Sequence, residues 1–343
     1  MSKLIKIDYK FALTFQLNQK IKNEFLVVPL IFIEIYGMKT KIYFLILVLA
    51  SIALLSMAAS VLHTGSVQIE ERGYSDYWRQ IDSLKELGQP ATAARLTEEL
   101  LSVALKENNS PQILKAHLYR IGLWAQYEED YELKAIEASK KLINVTTTPA
   151  REILKSITAE LYYLWYNNHQ WELRGRGIMG DKLESDFRLW DARTFADTIA
   201  SYYLASMDDP EKLYQIKARE FIPILDTAQG SEIFMPTLLD LLSHRALEFF
   251  SNEPIALTHS LEEFQPDHPD FFSPANSFIK VNLDKIQGTG FKKLALQIYR
   301  QLAALHLTYQ EFPPLIYNDL ERIEFVYQNT GLSDKDSLYL QSL

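Results

Sequence analysis

Between Gly88 and Trp171 the apolar residues return every three or four positions, and this spacing constrains the chain more than any other feature. The runs are Leu96, Leu100 and Val103, then Leu114, Leu118 and Ile121, then Leu154, Ile157, Leu161 and Leu164. A strand buries alternate residues, whereas a period near 3.6 belongs to helices that each bury one face. Ser110-Pro111 and Thr148-Pro149 each set a hydroxyl residue before a proline, the pattern of an N-cap followed by the first helical position. The two marks lie 38 residues apart, as expected when one helical hairpin stacks on the next. The sequence therefore predicts an all-α fold of stacked antiparallel helical hairpins, tetratricopeptide-like or α-solenoid, over residues 74–171.

Further helices are expected over 172–252. One starts at Asp191, one behind Asp208-Asp209-Pro210, and one at Pro236 that carries Leu238, Leu239, Leu242 and Ala246. Over 253–290 the periodicity lapses among Pro254, Pro266, Pro269 and Pro274, so this stretch reads as a loop-rich insertion with a short strand at Phe278-Ile279-Lys280-Val281. A last hairpin follows over 291–343, broken at Pro313-Pro314. The chain stops in a new amphipathic pattern after Ser333, which carries the expectation that the native protein continues past Leu343.

The amino terminus has a different character. Residues 1–60 hold seven lysines against three acidic residues, a charge of +4, and the whole chain carries −9, which leaves −13 for the rest. So acidic a body is a poor binder of polyanions, and nucleic acid is disfavoured as a partner. Met38-Lys39-Thr40-Lys41, the uncharged run Ile42 to Leu55 and the small residues Ser56-Met57-Ala58 have the layout of a signal peptide. On this reading translation starts at Met38, residues 1–37 are a mis-assigned extension, and residues 38–60 are a leader. The alternative is a membrane anchor from Ile42 to Leu62, about the 20 apolar residues a bilayer needs. Either way the body is exported, to a periplasm, cell envelope or outer surface.

Motifs that would carry a reaction are scarce. The chain has no cysteine, which excludes disulfides, thiolate metal sites and a cysteine nucleophile. Gly175-Arg176-Gly177-Ile178-Met179-Gly180 matches the dinucleotide fingerprint in letters, but a helical pattern precedes it where a strand is required, so it reads as a loop. Glu128-Glu129-Asp130 reads as a solvated turn ahead of a helix near Tyr131, its charges favoured at the helix N-terminus. His244 reads as a structural histidine inside a helix, and the aromatic run from Tyr162 to Trp171 as packing between hairpins. His259 and His268 with Asp267 and Asp270 lack the spacing of a zinc motif and stay unassigned. No catalytic, cofactor-binding or metal-ligating residue is assigned, and no cofactor is expected. A glycosidase using two carboxylates stays open, since such a pair needs no local spacing.

Four segments resemble the N-terminal region of bacterial alpha-2-macroglobulin-family proteins of the Bacteroidetes type. They are Tyr77-Trp78-Arg79-Gln80-Ile81-Asp82-Ser83-Leu84, continuing through Gly88-Gln89-Pro90 to Asn109-Ser110-Pro111-Gln112 and Lys115-Ala116; Leu189-Trp190-Asp191-Ala192-Arg193-Thr194; Met235 to Leu247; and Ala295 to Leu302 with His306. The resemblance covers residues 74–330 in the family's order, through packing signatures only. It implies a non-catalytic helical segment ahead of macroglobulin β-sandwiches in a longer envelope protein, linked to protease inhibition by trapping. Many relatives also carry a Cys-x-x-Gln thioester, and this cysteine-free chain departs from them there. The trapping parts and the protease or envelope partners would then belong to segments beyond Leu343. The alternative is a free-standing helical adaptor that binds envelope proteins on a concave face.

Overall fold

The computed structural model describes residues 5–7, 73–173, 186–227, 230–251 and 264–343. The leader or anchor at 38–62, the loop Gly175–Gly180 and His259 lie outside the described residues. The fold is all-α. Among the described residues the only sheet is a two-strand antiparallel pair, β1 (Ile5–Ile7) on β2 (Leu225–Thr227), with Lys6 opposite Asp226. No helix among the described residues is long and apolar enough to cross a membrane.

The first five helices are α1 (Tyr74–Glu86), α2 (Pro90–Lys106), α3 (Ser110–Trp124), α4 (Tyr131–Val145) and α5 (Ala150–Leu173). Helix α2 packs along α3 and α4 along α5, while α3 touches both helices of the second hairpin. The short connection 107–109 forces α2 and α3 to run antiparallel. Residue chemistry sets the ends of these helices. Gly88, with φ of 70°, stops α1 as Gln89 N–H returns to the Leu84 carbonyl, and Asn108, φ 51°, stops α2 in the same way with Asn109 N–H on Ala104.

Two details differ from the sequence reading. The cap of α3 is Asn109, whose side chain accepts from Gln112 N–H, and Ser110 is already helical. Pro149 lies just ahead of α5, joined to Thr148 by a cis peptide bond, so the two proline marks are not equivalent.

The second half contains α6 (Ala192–Ala205), α7 (Pro210–Gln215), α8 (Leu238–Ser251), α9 (Ala275–Phe278), α10 (Phe291–Tyr309), α11 (Phe312–Asn329) and α12 (Lys335–Ser342). Asp191 caps α6 through Thr194 N–H, and Asp209 caps α7 through Lys212 N–H. Helix α8 begins two residues after Pro236, behind a reciprocal capping box. Thr237 Oγ1 accepts from Asp240 N–H, and an Asp240 oxygen accepts from both the N–H and the hydroxyl of Thr237.

The strand expected at Phe278–Val281 is not there. Ala275–Phe278 is one helical turn, and the next residues close it with Ile279 and Val281 N–H bonded to the Ala275 and Phe278 carbonyls. The β-branched letters were outweighed by Pro274, which opens the turn, and by Phe278, which is fully buried. One apolar core runs from Tyr77 to Val326 through both halves.

Candidate functional site

Buried polar residues occur where helices meet. His117 on α3 is fully buried, with Nε2 2.7 Å from Ser139 Oγ on α4 and Nδ1 3.0 Å from the Arg120 guanidinium. The Ser139 hydroxyl donates to the Ala135 carbonyl, so His117 donates from Nε2 and accepts at Nδ1 from Arg120. This network assigns a neutral imidazole. Burial, and next the Arg120 charge, hold its pKa well below the ordinary histidine value. Arg120 also pairs with Glu98 on α2 and lies over the Trp124 ring. The cluster links three helices.

A second junction joins α7, α8 and α10. The Tyr214 hydroxyl meets His306 Nδ1 at 3.1 Å, and His306 Nε2 lies 3.0 Å from Asp240 Oδ1. Tyr214, His306 and Asp240 are all buried, and Asp240 is also the capping residue of α8. The order hydroxyl, imidazole, carboxylate is that of a nucleophile triad. Here the hydroxyl belongs to a buried tyrosine whose pKa is raised by burial, so the arrangement orders three helices and exposes no nucleophile. His244 rests 5.2 Å from the Tyr317 ring, and burial lowers its pKa to about 4.

The other candidates fall into structural roles. Asp130 precedes α4, and Glu128 pairs with Lys134. No group of His, Asp and Glu among the described residues could hold a metal ion. His268 accepts from Asp270 N–H and lies 3.6 Å from an Asp270 carboxylate oxygen, while Asp267 turns away to take Thr330 Oγ1 and Gly331 N–H. Tyr162, Trp165 and Tyr166 are buried, and Tyr162 and Trp165 pack against Phe187, Trp190 and Phe195 as interhelix packing. Trp171 is the exception, at 75% exposed.

An open concavity with mixed chemistry lies between α1, α3 and the 3-10 segment Ala218–Ile224, and has a volume of about 230 Å³. Lys115, Leu118, Tyr119, Gly122 and Gln126 form one stripe of α3 along its wall, at spacings of three and four. Lys85 from α1 faces them, and Pro223 and Ile224 close the other side. Among the described residues two lysines and no carboxylate line the cavity, in a chain of 44 acidic and 35 basic residues.

The lysines are set by aromatic faces. Lys115 Nζ is 4.1 Å from the centre of the Trp78 ring, and Lys85 Nζ is 5.7 Å from that of Tyr119. Trp78 is fixed in turn by its indole N–H on Gln112 Oε1 at 2.8 Å and by Tyr119, 4.8 Å between ring centres. Burial lowers the pKa of Lys115, and the Asp82 charge opposes that shift.

Sequence reasoning named Trp78, Gln112, Lys115 and Leu118 only as packing or resemblance signatures and did not group these residues as a site. The available signal was Gly122, a glycine within an apolar helical period, with Tyr119 and Lys115 one and two turns before it on the same face. The opposite wall comes from residues about a hundred positions away and left no local trace. No family model matches the chain, and no curated protein or solved structure matches it.

Proposed function

We propose that this chain is a non-catalytic, protein-binding helical module of the cell envelope, the N-terminal segment of an exported alpha-2-macroglobulin-like protein that takes part in protease trapping. The observation that carries protein binding is an uncovered apolar stripe on α11. Phe312, Ile316 and Leu320 follow one another at i, i+4 and i+8 and are 60%, 59% and 47% exposed. Single exposed apolar residues are ordinary on a protein surface, whereas a row along one helix marks a face that meets another polypeptide. On this reading the stripe packs against the next segment of a longer protein.

The link to the macroglobulin family rests on the sequence resemblance alone. The segments that carry it contain Trp78, Asp191, Asp240, Arg245 and His306, which here serve as caps and helix-to-helix pins. That agrees with a segment whose role is to hold a shape. A free-standing adaptor is the second reading, favoured by the concavity on α3, since stacked hairpins offer such surfaces to ligands.

Immunoblotting of source cells with antibodies to residues 75–330 separates the two. The first reading expects a band several times larger than the 39.7 kDa of this chain. A band at or slightly below that mass overturns it in favour of the adaptor.

A further inference from the structure

Helix α12 covers one half of a face of α11 and leaves the other half exposed. Lys335 Nζ lies 4.8 Å from the centre of the Tyr327 ring, and the Tyr327 hydroxyl donates to Asp336. One turn further along α12, the Tyr339 hydroxyl donates to Glu324, and its ring lies 4.6 Å from that of Tyr327 between centres. As α12 advances by a turn its contacts step back along α11, so the two helices run antiparallel. At that spacing the end of α12 at Leu343 comes level with Leu320. Leu320, Ile316 and Phe312 continue the row of Glu324 toward the start of α11, and all three are exposed, as are Leu340 and Leu343. Phe234, just after the 3-10 turn Ser231–Ile233, is exposed too and lies 5.8 Å from the Tyr317 ring, which widens the apolar patch on that side.

The charge along this face has one sign. Asp319 flanks the row on one side and Glu321 on the other, and Glu324 stands at its end. Arg322, the only basic residue of α11, is fully buried and pairs with Asp319, which leaves Glu321 and Glu324 as the net charge. Next to them α12 adds Lys335 against Asp334 and Asp336. We propose that the exposed half of this face seats a basic amphipathic helix, in line with α12 and antiparallel to α11, contributed by the next segment of the longer protein. The proposal rests on the reading of this chain as the first part of that protein, and adds the chemistry of what meets it. Apolar residues at i, i+4 and i+7 of such a helix lie over Phe312, Ile316 and Leu320, the way an amphipathic helix fills an apolar groove. Lysine or arginine beside them meets Glu321 and Glu324. A second copy of this chain on the same face, or an anionic membrane, would set negative charge against negative charge.

The test is fluorescence anisotropy of the purified 343-residue chain with two labelled helical peptides of about 15 residues. Both carry leucines at i, i+4 and i+7, one with lysine and arginine on the flanks and one with glutamate there. The basic peptide is expected to bind at least about tenfold more tightly. Ile316→Ser should weaken it about tenfold, and Leu320→Lys, which also adds a repelling charge, by more. Leu87→Ser, at an exposed leucine away from the face, should leave it unchanged. A photo-crosslinking side chain in place of Leu343 should capture the amino-terminal end of the basic peptide, the end an in-line helix presents there. Equal affinity for the two peptides, no binding by the basic one, or binding that survives both Ile316→Ser and Leu320→Lys would overturn the proposal. Self-association in sedimentation that Ile316→Ser abolishes would overturn it in favour of a second copy. Flotation with phosphatidylglycerol vesicles that the same variant abolishes would overturn it in favour of a membrane. On the immunoblot, a band near 39.7 kDa removes the longer protein and with it the source of the helix, whereas a large band without peptide binding overturns this inference alone.

Discussion

The two halves of this molecule are held together differently. From Tyr74 to Leu173, long helices joined by short connections bury regular apolar faces, and many buried hydroxyls are satisfied within their own helix. Thr97, Ser139 and Thr158 each donate to the carbonyl four residues back. From Phe264 onward the chain between helices makes only short turns, and distant charged side chains fix it. Arg322 on α11 is fully buried over the Phe278 ring, donates to the Phe271 and Ser273 carbonyls, and pairs with Asp319. Asp267 reaches the start of the segment after α11 through Thr330 and Gly331. Arg245 on α8 crosses to Ser156 and Glu160 on α5 and ties the halves to each other. Where helical hydrogen bonding lapses, the orphan backbone groups still need partners, and long side chains supply them.

The sharpest way to break this contrast is Arg322→Met. It leaves two buried carbonyls and Asp319 without their donor, and the expected loss is about 3–5 kcal/mol in urea unfolding. Proteolysis should then begin between residues 264 and 290. A loss under about 1 kcal/mol would show that apolar packing alone holds that segment.

Acid should strike both halves, through one histidine in each. The pKa values of His117 and His244 are lowered in the fold, so between those values and the unfolded value near 6.5 the unfolded chain binds more protons. Stability is therefore full above about pH 6.5 and falls as pH drops. For His244, at about 4, the loss reaches about 3 kcal/mol by that pH. Urea midpoints measured from pH 7.5 to 4 check the slope, and His244→Gln should flatten it in part. A midpoint independent of pH would contradict the neutral assignment of both rings.

Smaller effects sharpen the comparison. Asp240→Asn keeps the shape of the α8 capping box but removes the charge shared by Thr237 and His306, for an expected loss of about 2 kcal/mol in thermal melting. Thr97→Val removes a hydroxyl bonded only to a carbonyl already inside its helix, and should cost less than about 1 kcal/mol. If the two proved equal, local and long-range polar groups would contribute alike, and the contrast between the halves would be one of appearance.

The same contrast decides how much of the fold was legible in the sequence. Helices α2, α3 and α5 follow from apolar spacing, and α6 and α7 from the Asp191 and Asp209 caps, because all of that information lies within four residues. Ser110 was mistaken for a cap because two neighbouring polar residues both suit the position and only the structure shows which bonds Gln112. The strand at Phe278–Val281 failed because its β-branched letters carried less weight than the burial of Phe278 beside Arg322. The partners of Arg245 and Arg322 lie tens of residues away, as does the far wall of the α3 cavity, so no local pattern announces them. The cavity left one trace, a glycine that its own helix does not need.

The tryptophans divide the molecule along the same line. Trp78, Trp124, Trp165, Trp171 and Trp190 are all five of the chain, and none lies beyond α6. Four are buried in the first half and its border, and Trp171 stands in solvent. Indole emission therefore watches one side of the protein while the Arg322 segment and helices α8 to α12 unfold in the dark. A fluorescence curve taken alone would report a single clean transition even if the second half had already come apart.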